Sequence, residues 1–336
     1  MKNVFIINSH TTFLSAIGTI NYLKLPLESV LMLYMRNYSN SIVSHGYEIL
    51  EVSDFMNSFD TLFSSVSEQK KCIKRIDDFV EHNIKGSYKL FCPHLANGVW
   101  QAIYTNSRCV EMSYIQEGGI PFTTAYLTHM SLKKCLYLFF VNKIYFHTNR
   151  VWRGGWYTRG TMIKQKELHS YAINTLFFKN LPSVNHIIKW PMANVGIKID
   201  SNSTIFIFDG FVQNHLIERM LYMEKCRDLV FQYADCYNYI KFHPAQTQED
   251  IDMIVSYFQE RKYKYELLPN HIPFEMILSS NKNLKIVGFG SSLLYFAYDL
   301  GNKVICQEKW LSSSPLYRKY RENCGLIDFD EYKKMI

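Results

Sequence analysis

Three stretches of the chain end an apolar run on side chains that can move a proton or hold a phosphate. The first, Tyr114-Ile115-Gln116-Glu117-Gly118-Gly119, sets a carboxylate on a glycine turn. A carboxylate there has backbone room beside it and can take the proton of a sugar hydroxyl, or it can simply cap the next element. In the second, Lys241-Phe242-His243-Pro244, the proline biases His243 towards extended backbone. An imidazole at a strand end can hydrogen-bond or protonate a departing phosphate, although many His-Pro pairs do neither. The third, Gly288-Phe289-Gly290-Ser291-Ser292-Leu293, lies between an apolar run and a helical pattern. Its small residues let a phosphate approach a helix N-terminus and its hydroxyls can donate to it, while Ser292 can also serve as an N-cap alone. The spacing is neither that of a P-loop nor that of a dinucleotide fingerprint. Asp209-Gly210 offers a competing carboxylate on a glycine turn.

The elements that must position these residues read as α/β. Val4-Phe5-Ile6-Ile7 is a short apolar run stopped by Asn8-Ser9-His10-Thr11-Thr12, and a helical pattern follows over residues 13–23. Such a run suits a strand of a parallel sheet buried on both faces. Further strands are expected over 30–35, 89–92 and 109–115, with helical segments between them. A second alternation begins beyond Pro182 and Pro191. Strands are expected over 204–208, 239–242, 285–287 and 303–305, and helices over 215–226, 248–261 and after Ser291-Ser292. The pattern predicts two doubly wound domains, residues 1–185 and 186–336, with strand ends framing a central cleft for a nucleotide-bound substrate.

A length of 336 residues suits two such domains, and 48% hydrophobic against 20% charged residues excludes a disordered chain. The eight cysteines are scattered without a Cys-x-x-Cys pair, which favours reduced, mostly buried thiols over a zinc site or a secreted disulfide framework. Neither a secretory signal nor a membrane span stands out, so the chain is expected to be soluble or peripheral. The net charge is +7, and no Asp or Glu occurs between Glu117 and Glu167. That window holds Lys133, Lys134, Lys143, Arg150, Arg153, Arg159, Lys164 and Lys166 interleaved with Trp152, Trp156, Tyr and Phe. It reads as a solvated basic face, or as a surface for lipid headgroups or a phosphate-bearing acceptor. Nucleic acid is not expected, because no RNA- or DNA-binding signature accompanies the window.

The order of the motifs, Glu-Gly, then His-Pro, then Ser-Ser, resembles the bacterial sialyltransferases of the lipooligosaccharide, polysialic acid and O-antigen type. Those enzymes carry an acidic-acidic-Gly motif, a His-Pro motif and a serine motif. The opening Val4 to Thr11 is similar to their first strand and loop, and Ile272-Pro273-Phe274-Glu275 falls where relatives have a nucleotide-contacting acid. The resemblance implies a GT-B fold, with an acceptor-binding first domain and a second domain that binds CMP-sialic acid. It implies inverting transfer to a hydroxyl, of galactose for instance, on a bacterial surface glycan such as O-antigen, lipooligosaccharide or capsule. Glu117 becomes the general base and His243 the phosphate partner and proton donor. Gln116, Gly118, Pro244, Glu275, Gly290, Ser291 and Ser292 become substrate-binding residues. Gln116 departs from the motif, standing where the family has its first acid. The leaving group is a nucleoside monophosphate, so no metal or other cofactor is expected. The implied location is cytoplasmic, peripheral on the inner membrane beside a lipid-linked acceptor. The alternatives are a GT-B enzyme using a nucleotide-diphosphate sugar, or a non-catalytic basic binding protein.

Overall fold

The opening apolar run forms β1 (Lys2–Ile7), the centre of a seven-stranded sheet in a computed structural model of the chain. The structure describes residues 1–35, 38, 46–117, 133, 136–137, 140–145, 150–152, 165–179, 181, 183–191, 196–270, 272–324 and 327–336. Val4 to Ile7 have no exposed surface, as expected of a strand covered on both faces. The Ser9 hydroxyl accepts the Thr12 N–H, so α1 (His10–Leu23) starts three residues before the apolar periodicity does. The first unit continues with β2 (Val30–Tyr34), β3 (Glu48–Glu51), α2 (Ser53–Asn57), α3 (Val66–Asn83), β4 (Tyr88–Cys92) and α4 (Gly98–Thr105). It closes with β5 (Cys109–Ile115), β6 (His169–Ala172) and β7 (Val184–Ile187). The order is β3-β2-β1-β4-β5-β6-β7, all pairs are parallel, and the direction of winding reverses between β1 and β4.

The second unit begins at β8 (Thr204–Phe208) and runs through α5 (Arg219–Tyr233), β9 (Tyr237–Phe242), α6 (Gln248–Glu260) and β10 (Lys264–Leu267). There follow α7 (Phe274–Ser280), β11 (Lys285–Gly288), α8 (Ser292–Asp299), β12 (Lys303–Cys306), α9 (Pro315–Cys324) and α10 (Phe329–Met335). Its parallel sheet has the order β10-β9-β8-β11-β12, reversing between β8 and β11. Phe206, Phe208 and Phe258 lie wholly inside, each contributing about 1.5–3 kcal/mol by leaving water. Two doubly wound parallel α/β units in one chain are the GT-B architecture.

Three expectations need correction. The units divide as Met1–Trp190 and Pro191–Ile336, not at 185/186, because β7 pairs with β6 and belongs to the first sheet. The helix expected from His215 starts at Arg219. His215 takes a left-handed φ of 55°, and the Glu218 carboxylate caps the N–H groups of Met220 and Leu221. The basic window is also not one exposed face. Trp152 is buried in the first core, and the Arg150 guanidinium makes a two-pronged ion pair with Asp77 (2.9 and 2.5 Å) while its Nε donates to the Thr105 hydroxyl. Trp156, Lys134, Arg153, Arg159 and Lys164 lie outside the described residues. Among the described residues no helix is long and apolar enough to cross a membrane.

Candidate active site

Glu117 stands at the carboxyl end of β5, on the edge where β1 and β4 mark the reversal of strand order. Open α/β sheets bind ligands outside the carboxyl ends of their strands at such a point. Its carboxylate is 22% exposed, so solvent reaches it; one hydrogen bond orients it and a histidine ring lies alongside. Asn8, at the end of β1, donates Nδ2–H to Oε1 at 2.7 Å and accepts the Thr12 hydroxyl on Oδ1, also at 2.7 Å. His94, just past β4, approaches Oε2 with Nε2 at 3.5 Å. The His94 Nδ1 accepts the Ala96 N–H at 3.1 Å, which puts the proton of the neutral ring on Nε2, facing the carboxylate. The imidazole is stacked on Trp100 at 4.4 Å, which fixes its plane. Three strand ends thus hold one accessible carboxylate, the arrangement a general base requires.

Gln116 does something else. It has no exposed surface, and its Oε1 accepts the Ile173 N–H at 2.9 Å, fastening β5 to the segment after β6. Gln116 thus ties the end of β5 to the chain beyond β6 through Oε1. Gly118 lies outside the described residues.

In the second unit the corresponding sheet edge gathers His243, Asp209, Gly290 and Ser291. His243 follows β9, and its N–H bonds the Phe208 carbonyl at 3.0 Å. Its Nδ1 accepts the Ala245 N–H at 3.1 Å, so the neutral ring carries its proton on Nε2, as His94 does. Partial burial pushes the His243 pKa below the usual histidine value. Gly210 makes room for that ring, since a Cβ there would sit 2.8 Å from His243 Nδ1. Pro244 is exposed beside it.

The helix cap falls on Ser291, whose Oγ accepts the Leu293 N–H, so Ser292 is the first helical residue rather than the N-cap. Gly290 lies against Tyr317 and Leu311, where a Cβ would meet their side chains at 3.1 and 3.2 Å. Glu275 occupies the first turn of α7. Lys241 lies near it, 6% exposed, with its ammonium donating to the Pro269 and Ile272 carbonyls at 2.7 and 3.2 Å. Burial pushes the Lys241 pKa down to about 8 while Glu275 draws it up. The lysine ties down the loop that leads into Glu275.

Two Asp-x-Asp triplets occur in the chain, Asp250-Ile251-Asp252 and Asp328-Phe329-Asp330. Asp250 accepts from Gln213 and Arg219, Asp328 pairs with Arg321, and Asp330 with Lys309 and Lys333. Among the described residues no three His, Cys, Asp or Glu side chains group as a metal site. Cys72, Cys92, Cys109, Cys226, Cys236 and Cys306 are free, and all but Cys236 are at least partly buried.

Sequence reasoning passed over His94, Asn8 as a ligand of the carboxylate, and Lys241. The signal available for His94 was its place directly after the strand ending at Cys92; Lys241 stood inside the His-Pro stretch itself.

A model of the alpha-2,8-polysialyltransferase family matches residues 18–306. Among solved structures, the chain is similar to a sialyltransferase from Photobacterium damsela, at 14% identity and a TM-score of 0.53, over 98% of this chain and 80% of that one. It is also similar to S. aureus MnaA solved with UDP, at 9% identity and a TM-score of 0.50, over 96% and 87% of the two chains. The spinosyn forosaminyltransferase SpnP aligns at 8% identity and a TM-score of 0.52, over 97% and 92%. At these identities the structures speak for the fold alone. No curated protein sequence matches the chain.

Proposed function

We propose that this chain, which belongs to the alpha-2,8-polysialyltransferase family and is a glycosyltransferase of the sialyltransferase kind, takes CMP-sialic acid as its donor and transfers with inversion. The observation that carries the reading is the accessible Glu117 carboxylate, held by Asn8 and His94 at the switch point of the first sheet. Glu117 removes the proton of the acceptor hydroxyl as that oxygen attacks the anomeric carbon of sialic acid. The bond from that carbon to the phosphate oxygen breaks, and CMP leaves with the electron pair. In the second unit His243 Nε2–H, the Gly290 amide and the Ser291 and Ser292 hydroxyls stabilise its charge. Glu275 binds the nucleotide. A monophosphate leaving group has no diphosphate for a metal to bridge, so transfer proceeds without one.

The acceptor is a hydroxyl of a bacterial surface glycan. The family description favours a terminal sialic acid over galactose. The test is a transfer assay with CMP-sialic acid and common nucleotide-diphosphate sugars, each offered sialylated and galactose-terminated acceptors, with a chelator present. CMP-sialic acid alone is expected to be consumed, with chelator making no difference. Consumption of a nucleotide-diphosphate sugar instead would overturn the donor assignment.

The enzyme works on the cytoplasmic face of a membrane, beside a lipid-linked acceptor. Leu136, Tyr137, Phe140 and Tyr145, in the acid-free window, are 51–59% exposed, and Lys133 is exposed with them. Aromatic side chains favour the headgroup level, and each basic residue near an anionic surface contributes about 1 kcal/mol. Wild type is expected to sediment with anionic vesicles at low salt, and the double substitution Tyr137→Glu/Phe140→Glu to stay in solution. Equal partition of the two would end the membrane assignment. Arg150→Glu is the wrong probe, because it breaks the ion pair with Asp77.

A further inference from the structure

Asn8 follows β1, and Thr12 stands four residues on in the first turn of α1; both side chains are buried. Their polar atoms form one chain that ends on Glu117. Asn8 Nδ2–H donates to the carboxylate Oε1 and the Thr12 hydroxyl donates to Asn8 Oδ1, each at 2.7 Å, while the Thr12 oxygen lies 2.8 Å from the Ser9 hydroxyl. Ser9 is itself fixed, because its Oγ accepts the Thr12 N–H and caps α1. A carboxamide is a donor at one end and an acceptor at the other, and the two ends suit different forms of Glu117. The amide oxygen fits only a protonated carboxyl, since two acceptors that close need a proton between them; the amide nitrogen fits the carboxylate. Thr12 makes the choice. With its one proton on Asn8 Oδ1, the nitrogen is left facing Glu117, and the Ser9 hydroxyl can donate in turn to the Thr12 oxygen.

We propose that Asn8 and Thr12 are positioning residues for the general base: Thr12 holds the Asn8 carboxamide donor-forward, and Asn8 in turn holds Glu117 ionised and ready to take the proton of the acceptor hydroxyl. The inference rests on the assignment of Glu117 as that base.

The placement favours this role over the shaping of a turn. A side chain that only closes the link between β1 and α1 needs partners inside that link, where Ser9 already supplies the cap. The Asn8 nitrogen instead reaches past the end of β5, 109 residues away in sequence. Burial of Asn8 and Thr12 keeps water from competing for these bonds. A hydrogen bond to the ionised form of a carboxyl favours that form, so losing the donor, or setting a like charge in its place, makes the carboxyl harder to ionise. The other titratable groups facing Glu117 among the described residues are His94, with Nε2 at 3.5 Å from Oε2, and the Cys92 thiol, which burial pushes up and keeps neutral. Neither is altered in the variants below, so a displaced pH limb reports on Asn8.

The experiment is the pH dependence of kcat/KM for transfer from CMP-sialic acid to a sialylated acceptor by wild type, Asn8→Asp, Thr12→Val and Thr12→Ser, with a melting curve for each. Asn8→Asp keeps the shape of the side chain but sets a second carboxyl against Glu117, so the pair retains a proton to higher pH. Its acid limb is expected about one to two pH units above that of wild type, with most of the lost transfer regained at alkaline pH. Raising the pH would not recover a folding defect. Thr12→Val keeps the branched shape and loses the donor; it is expected to lower kcat about 3- to 10-fold with the donor KM unchanged, and Thr12→Ser to restore it. An Asn8→Asp acid limb that coincides with that of wild type overturns the positioning role while leaving the base assignment standing. So does a Thr12→Val variant as fast as wild type, or a Thr12→Ser variant as slow as Thr12→Val. Should Asn8→Asp melt below the assay temperature, the two threonine variants decide. Near-normal transfer by Glu117→Gln overturns the base assignment, and the positioning role with it.

Discussion

Glu117→Gln is expected to lose about two to four orders of magnitude in turnover, the usual contribution of a general base, while keeping the fold and its affinity for CMP. The substitution is isosteric, and the new amide oxygen can still accept from Asn8 as the Glu117 carboxylate does at 2.7 Å. What the amide cannot do is take a proton. The site loses little else, because 22% exposure leaves the side chain at the surface of the first unit rather than in its core. Single-turnover transfer and CMP titration separate the two effects. Near-normal transfer by Glu117→Gln, with Asp209→Asn inactive, would move the base to Asp209 and remove the Asn8–Glu117–His94 cluster from the chemistry.

His243→Ala and Ser291→Ala are each expected to weaken donor binding and transfer about 10- to 150-fold, since a hydrogen bond to a charged group contributes roughly 1.5–3 kcal/mol. The two differ in what else they disturb. His243 is exposed, and its removal leaves only the Ala245 N–H without its acceptor. Ser291→Ala also removes the cap of α8, so about 1 kcal/mol of stability goes with it. Ser292→Ala separates the contributions, because Ser292 is inside the helix and its hydroxyl is not the cap. A CMP titration with a parallel melting curve measures both quantities. If CMP affinity and turnover survive the loss of His243 and of both serines, the phosphate binds elsewhere.

The central strands were legible from residue order because a parallel strand between two helical layers must be apolar at every position. Val4–Ile7, Leu31–Tyr34 and Thr204–Phe208 show that run, and all are buried. Three of the four edge strands were not legible. Glu48–Glu51, Val184–Ile187 and Lys264–Leu267 are mostly exposed, and their pairing comes from the neighbouring strand rather than from their own pattern. For the same reason the first unit's end was placed inside β7.

Glu117, His243 and Ser291 could be picked out because each is a reactive side chain where an apolar run stops, and in a doubly wound sheet such stops collect on one edge. What surrounds them could not be read. Asn8 and Glu117 are 109 residues apart in sequence and bonded at 2.7 Å, a contact created by strand order alone. Trp152 and Arg150 looked like surface residues because their window holds no acid. Asp77, the acid that pairs with Arg150, comes from α3, 73 positions earlier. Asp209 has the same local signature as Glu117, an acid before glycine at a strand end. One is 6% exposed and the other keeps 22% of its side chain in solvent, a difference that the local sequence does not carry. Residue type and local spacing determined which side chains can do chemistry; burial and distant neighbours, which set their charge and access, were decided by the fold.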